Sequence, residues 1–385
     1  MDVMSSAASL LGTRLTLWLG PTIAVPAPAP IVEALSHVEV TLSDGPRDGF
    51  QLVFTVGRTG ALALDYTLMG NPLLRPSTRV VVQVWLGVFP QVLIDGIIMD
   101  THLEPSDQPG ASTLTVIGED VRVMMDIRQT ALSYPAESVY SIIQQTLLTY
   151  MMYLGTPPII LPADPSIAPP TEQIPVKTDT DLSYLLQLAR DYCCVFYVEP
   201  TPVPMVNQAY WGPLDLTSQP QTVLSVNMGP ETNAKIDFRY DSRKPSLVAG
   251  SVIDKTTGLP IPLVTMTPTL PPLAALPALA VQPQTLRTVM AADMSGLSYA
   301  EALLRAQALT NRASHAVLAT GELDMLRYGT ILRPRRLVSV RGAGYMHDGF
   351  YYVQSVTHSI GKGEYKQRFT LTREGFGSLT PVVPT

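Results

Sequence analysis

Polar and apolar positions alternate with a period of two over much of the chain. Val38, Val40 and Leu42 alternate with polar residues and run into Ser43-Asp44-Gly45-Pro46-Arg47-Asp48-Gly49. Phe50, Leu52, Phe54 and Val56 then alternate again. Two such runs around a Gly/Pro/Asp cluster predict a β-hairpin. Residues 78–86 (TRVVVQVWL) are a near-continuous β-branched run, which suits a strand buried on both faces. Further strands are predicted at 91–99 and 112–118. Five or six strands within 34–118 predict a small antiparallel barrel or sandwich.

The period then becomes helical. Val139, Ile142, Ile143, Thr146 and Leu147 predict a helix starting near Ser133 or Pro135. A proline-rich loop follows at 157–175. Thr180 or Asp181 caps a second predicted helix, 182–192, with Leu182, Leu185, Leu186 and Ala189 on one face. A strand at 195–198 leaves that helix directly, and Tyr210-Trp211-Gly212-Pro213 is the next landmark. Strands are predicted at 234–240, 246–254, 316–323, 337–341, 351–359 and 364–373. A helix at 298–313 turns Ala302, Leu303, Ala306 and Leu309 inward. Before the first hairpin, 5–18 suits a short helix and 25–30 an extended Pro-Ala spacer.

The predicted fold class is α+β, mainly β: two barrel-like antiparallel β domains with a helical insertion. The expected boundaries are an N-terminal extension at 1–33, a first β domain at 34–128 and a helical or mixed insertion at 129–233. A second β domain spans 234–375, and 376–385 form a tail. One segment stands apart. Residues 258–285 hold seven prolines and no charge. This is read as an extended arm or long loop, and its leucines Leu263, Leu270, Leu273 and Leu276 are candidates for docking on another surface, the alternative being a loop folded back on its own barrel.

Composition sharpens this picture. Only 15% of the 385 residues are charged while 46% are hydrophobic, so a subunit that hides surface in an assembly is expected. Net charge is −6, which argues against a dedicated nucleic-acid binder. The early apolar stretch 15–32 is broken by Gly20, Pro21, Pro26, Pro28 and Pro30, so no spanning helix is expected there. Asp2 and Arg14 fit a signal peptide poorly, so synthesis in the cytoplasm without export is expected. The only cysteines, Cys193 and Cys194, are adjacent and are read as buried thiols.

Catalytic signals are weak. Asp179-Thr180-Asp181 matches a D-x-D metal pattern but precedes a helix, where capping explains it. His347-Asp348-Gly349 reads as a turn, and His347 with His358 lacks a third ligand. Ser355, His358 and Asp348 have no G-x-S-x-G elbow. No phosphate loop or dinucleotide fingerprint is present. No catalytic residue, cofactor site or metal site is therefore expected, and no enzyme activity. The one basic cluster, Arg333, Arg335, Arg336 and Arg341, is read as a rim or a contact for an acidic partner.

Several segments carry a family likeness. Residues 73–103 contain a strand, a short hairpin and a strand with Asp95-Gly96-Ile97-Ile98. Residues 112–126 close a strand with Gly118-x-Asp120. Residues 179–198 (DTDLSYLLQLARDYCCVFYV) hold an Asp-Leu-x-x-Leu helix running into a strand. Tyr210-Trp211-Gly212 follows, and 348–373 form a closing hairpin. In this order the segments resemble the baseplate hub proteins of contractile phage tails. Relatives of that family are the late control D proteins and the N-terminal part of type VI secretion spike proteins.

The resemblance implies a homotrimeric ring, in which two β domains per subunit match a six-fold inner tube to a three-fold spike. Implied partners are the inner tube protein, a separate spike protein and other baseplate proteins, with a cargo protein as a further candidate. Implied placement is a phage-tail-like particle, with no nucleic-acid partner and no membrane span. The alternative readings are a tail-associated cell-wall hydrolase or a carbohydrate- or receptor-binding tail protein.

Overall fold

The computed structural model describes residues 13–45, 47–58, 66–108, 110–161, 174–253, 258–281, 287–290 and 297–379. The chain is mainly β with a minor helical part. The predicted hairpin is present: strands Leu35–Ser43 and Gly49–Val56 pair antiparallel, with Val40 opposite Phe50 and Val38 opposite Leu52. Their alternation puts Val38, Val40, Phe50, Leu52 and Phe54 in one core.

The hairpin lies in the middle of a 13-stranded sheet. On one side Gly49–Val56 leads through Ser112–Asp120, Phe89–Glu104 and Arg79–Leu86 to Thr13–Gly20. On the other, Leu35–Ser43 pairs with Gly349–Gly361, followed by Glu364–Arg373, Val317–Asp324 and Ala234–Tyr240. Leu337–Arg341 and Gln221–Ser225 branch from Gly349–Gly361. The two β-rich regions are thus joined edge to edge through one seam, with His358 opposite Val40. Each keeps its own core: one around Leu52, Val82 and Val116, the other around Val338, Tyr351 and Leu371.

The Asp-Gly and Gly-x-Asp motifs have a packing reason. The Phe50 ring lies over Gly118 and Gly96 on the two neighbouring strands. A Cβ at Gly118 would come within 2.2 Å of that ring, and one at Gly96 within 2.9 Å. Neither position has room for a side chain.

Two N-terminal expectations are corrected. Thr13–Gly20 is a strand, not part of a helix, and pairs with Arg79–Leu86. Leu17 and Leu19 enter the first core. The rest of the expected helix lies outside the described residues. The Pro-Ala spacer is partly a return strand, Val25–Pro26, and then a short helix, Ala29–Ala34.

In the insertion, helix Val139–Leu148 is capped by Ser138 rather than starting near Ser133 or Pro135. Helix Asp181–Asp191 is capped by Thr180, whose side chain accepts from the Ser183 N–H. Both pack on a three-stranded sheet of Ile159–Ile160, Cys194–Pro200 and Asn207–Pro213. The helix 181–191 buries Leu182, Leu185 and Leu188 among Phe196 and Trp211, while Leu186 is only half-buried. Leu185 is fully enclosed, and Trp211 Nε1 donates to its carbonyl at 3.3 Å. Leu186→Ala is therefore expected to cost about 1 kcal/mol, below the usual 2–5 kcal/mol for an enclosed leucine. Urea unfolding checks this.

Helix Tyr299–Ser314 starts with a full capping box of Ser298 and Glu301. Its inner face is narrower than expected. Ala302 and Ala306 are buried, but Leu303 and Leu309 are exposed. Small residues let the helix approach the sheet Pro260–Val264, Ser246–Ile253, Arg287–Met290, whose Val248, Val252 and Leu263 meet it. Among the described residues, no helix is long and apolar enough to cross a membrane.

Candidate functional site: a buried arginine junction and an adjoining cavity

The arm read from 258–285 folds onto its own chain over the residues described. Pro260–Val264 is an edge strand on Ser246–Ile253, and Leu276–Pro277 pairs with Gly375–Phe376. Leu263 is buried beneath helix Tyr299–Ser314, and Leu273 is buried with Leu216, Leu337 and Tyr352. Leu270 is half-buried on the same cluster, and Leu276 is exposed. As docking residues Leu263 and Leu273 are therefore corrected: both already sit in the chain's own cores.

The basic cluster is also an internal feature. Arg335 is buried and donates to Asp48 at 2.6 Å and to the Ser43 carbonyl. Its guanidinium lies over Tyr197, 4.5 Å from the ring centroid. Its φ of 63° is left-handed, a strained setting that these anchors hold in place. Arg333 donates to Gln91 at 2.7 Å and faces Glu199 at 3.6 Å. Burial pulls its pKa down, against the charge of Glu199. Arg336 is about half exposed and pairs with Glu199 at 3.2 Å, while Arg341 pairs with Glu231 at 2.7 Å. The expected rim is thus corrected for Arg333 and Arg335, which clasp three parts of the fold together.

Arg122 completes this junction. Its guanidinium, 1% exposed, donates to Asp120 at 2.6 and 2.9 Å and to the Phe196 carbonyl at 3.3 Å. It also faces Asp48 at 3.5 Å. Asp120 in turn accepts from the Asp48 N–H at 3.0 Å. A second clasp lies nearby in sequence. Arg79 forms a bidentate pair with Asp95 at 2.8 and 2.6 Å, and Asn207 donates to the same carboxylate at 2.8 Å. Asp95 and Asp120, the acids of the two motifs, therefore fasten the first β region to the insertion. The sequence marked those acids; Arg122 is local to Asp120, but Asp48 and Asn207 reach the two acids from far away in the chain.

The residues considered for catalysis are placed as structural parts. Thr180 is a helix cap, and Asp181 accepts from the Tyr150 hydroxyl at 2.7 Å and pairs with Lys177. Asp348 is buried and accepts from the Ala343 N–H at 2.8 Å. His347 stacks on Phe238, with centroids 4.6 Å apart. His358 is fully enclosed, and its Nδ1 meets the Tyr365 hydroxyl at 3.0 Å. Among the described residues, no group of three or more His, Cys, Asp or Glu side chains is gathered as metal ligands.

Beside the junction lies a cavity of about 410 Å³ between the helices 181–191 and 299–314 and the strand Gly349–Gly361. Cys193 and Cys194 reach it. Cys194 is buried and its thiol is pushed up to about 12, by burial and then by Cys193. Cys193 is only half-buried, which corrects the reading of two buried thiols, and accepts from Asn311 Nδ2 at 3.3 Å.

No family model matches the chain, and no curated protein matches it. Solved structures do. A tail protein from Neisseria meningitidis MC58 has a TM-score of 0.64 at 14% identity, covering 95% of this chain and 98% of that one. The 43 kDa tail protein of prophage MuSo2 from Shewanella oneidensis has a TM-score of 0.64 at 13% identity, covering 94% and 99%. An E. coli component of the type VI secretion system, described as structurally similar to the T4 tail proteins gp27 and gp5, has a TM-score of 0.53 at 12% identity, covering 91% and 77%. The chain has the fold of these phage tail and type VI secretion proteins.

Proposed function

We propose that this chain is a structural baseplate hub of a contractile phage-tail-like particle. In this reading it forms a homotrimer that joins a six-fold inner tube to a three-fold spike and performs no catalysis. Its partners are the tube protein, a separate spike protein and other baseplate proteins. The observation that carries the reading is the extent of the likeness, which runs nearly end to end in both this chain and the Neisseria tail protein. Two β regions with separate cores, fused along one seam, suit a subunit that presents two similar faces to a ring. The low charge content suits a permanent interface, which resembles a domain core cut in half.

Three copies would carry 3 × −6 = −18 charges, so apolar contact has to oppose their repulsion. The protein is expected to scatter light as a trimer at micromolar concentration, and salt is not expected to dissociate it. Negative-stain images should show rings. A monodisperse monomer at that concentration would count against the hub.

A further inference from the structure

The cavity beside the arginine junction has two chemically different parts. Its walls are apolar, with Leu186, Phe196, Leu214 and Leu270 among them. Its rim carries Arg190, Lys244 and Arg312, all exposed. Among the described residues none of the three has a carboxylate within salt-bridge distance, because the nearby Asp191 pairs with Arg305 at 3.0 Å. Arg312 donates to the Arg190 backbone carbonyl at 2.6 Å, which fixes the Arg312 guanidinium at the end of helix 181–191. On the floor, Tyr352 is 2% exposed and its buried hydroxyl lies beside the Asp44 carboxyl, which also lines the cavity. The volume falls in the range of about 300–1,000 Å³ typical of small-ligand sites.

We propose that this cavity binds an apolar chain bearing a carboxylate, with the chain against the leucine and phenylalanine walls and the carboxylate between Lys244 and Arg312. Unpaired cations at an apolar opening call for an anion, and a guanidinium fork matches a planar carboxylate. Asp44 lines the same cavity, so a head with one negative charge fits better than a dianion. The buried Tyr352 hydroxyl, beside Asp44, adds a polar contact at the floor of the site. The same chemistry is offered by a free fatty acid and by the C-terminus of an apolar polypeptide segment. This proposal does not rest on the hub reading.

Calorimetry on the full chain tests it, with dodecanoate, dodecanol and a leucine-rich hexapeptide carrying either a free or an amidated C-terminus. Dodecanoate or the free-acid peptide is expected to bind with one site per chain, about tenfold tighter than its uncharged counterpart. Dodecanoate binding alone assigns a small amphiphile; free-acid peptide binding assigns a chain end. The double variant Lys244→Gln, Arg312→Gln should weaken binding by about tenfold or more, while Arg243→Gln, on an exposed side chain outside the cavity, should not. Leu270→Trp, which narrows the cavity, should weaken it as well. The proposal is overturned if no probe binds, if charged and uncharged probes bind equally, or if the double variant binds like the parent.

Discussion

Replacing Arg122 with alanine is expected to cost about 3–5 kcal/mol of folding stability, the usual cost of leaving buried charges without their partner. Arg122 is enclosed, and so are Asp48 and Asp120, the two carboxylates it faces. Arg335 would remain on Asp48, but Asp120 would keep only backbone donors. Arg122→Met separates charge from volume. It refills the space yet supplies no donor, so it should lose nearly as much as alanine. Asp120→Asn provides the matching half of a double-mutant cycle. The double variant should lose clearly less than the sum of the singles, because the two groups act as a unit. Additive losses, or a melting temperature near the parent's for Arg122→Met, would show that the junction is packing alone.

That junction also marks where the sequence stopped being readable. Strands such as Leu35–Ser43 and Gly49–Val56 were legible because each turns one face to a core, so alternation follows. Helix Asp181–Asp191 was legible from its cap and leucine spacing. Thr13–Gly20 was missed although Leu15, Leu17 and Leu19 alternate, because a short Ala/Ser/Leu run before it favoured a helix. The arm was misread for another reason. Pro260 and Pro262 argue against a strand, but an edge strand tolerates proline on its unpaired side. The arginines were misassigned because a charge pair depends on fold, not spacing. Arg335 meets Asp48, and Arg336 meets Glu199, across long stretches of chain. The seam that fuses the two β regions is likewise a long-range pairing with no local signature.

Stability is expected to rise with pH between about 4 and 6 by about 1.4 kcal/mol per pH unit, the equivalent of one proton. Three buried groups set this slope. Burial, with Arg333 adding, pushes His358 down to about 3. Burial, with Lys244 adding, pushes His315 down to about 4. Burial pushes Asp44 up to about 6, against the pull of Arg335. Within the window the unfolded chain protonates both histidines, near their ordinary value of about 6.5, while the folded chain holds them neutral. That makes unfolding take up two protons, so acid destabilises the fold. Asp44 acts the other way. It stays protonated when folded but ionises when unfolded, above about 3.9, so it returns one proton. The net is one proton taken up, and stability falls as pH falls. His347, lowered, adds to the slope, and Asp191, raised, subtracts from it. Asp44→Asn should therefore steepen the slope to about 2.8 kcal/mol per pH unit, and His358→Gln should flatten it towards zero. Urea unfolding across the window measures all three slopes. If Asp44→Asn leaves the slope unchanged, the carboxyl beside Arg335 is not held protonated by its burial. The acid sensitivity of this fold would then rest on the histidines alone.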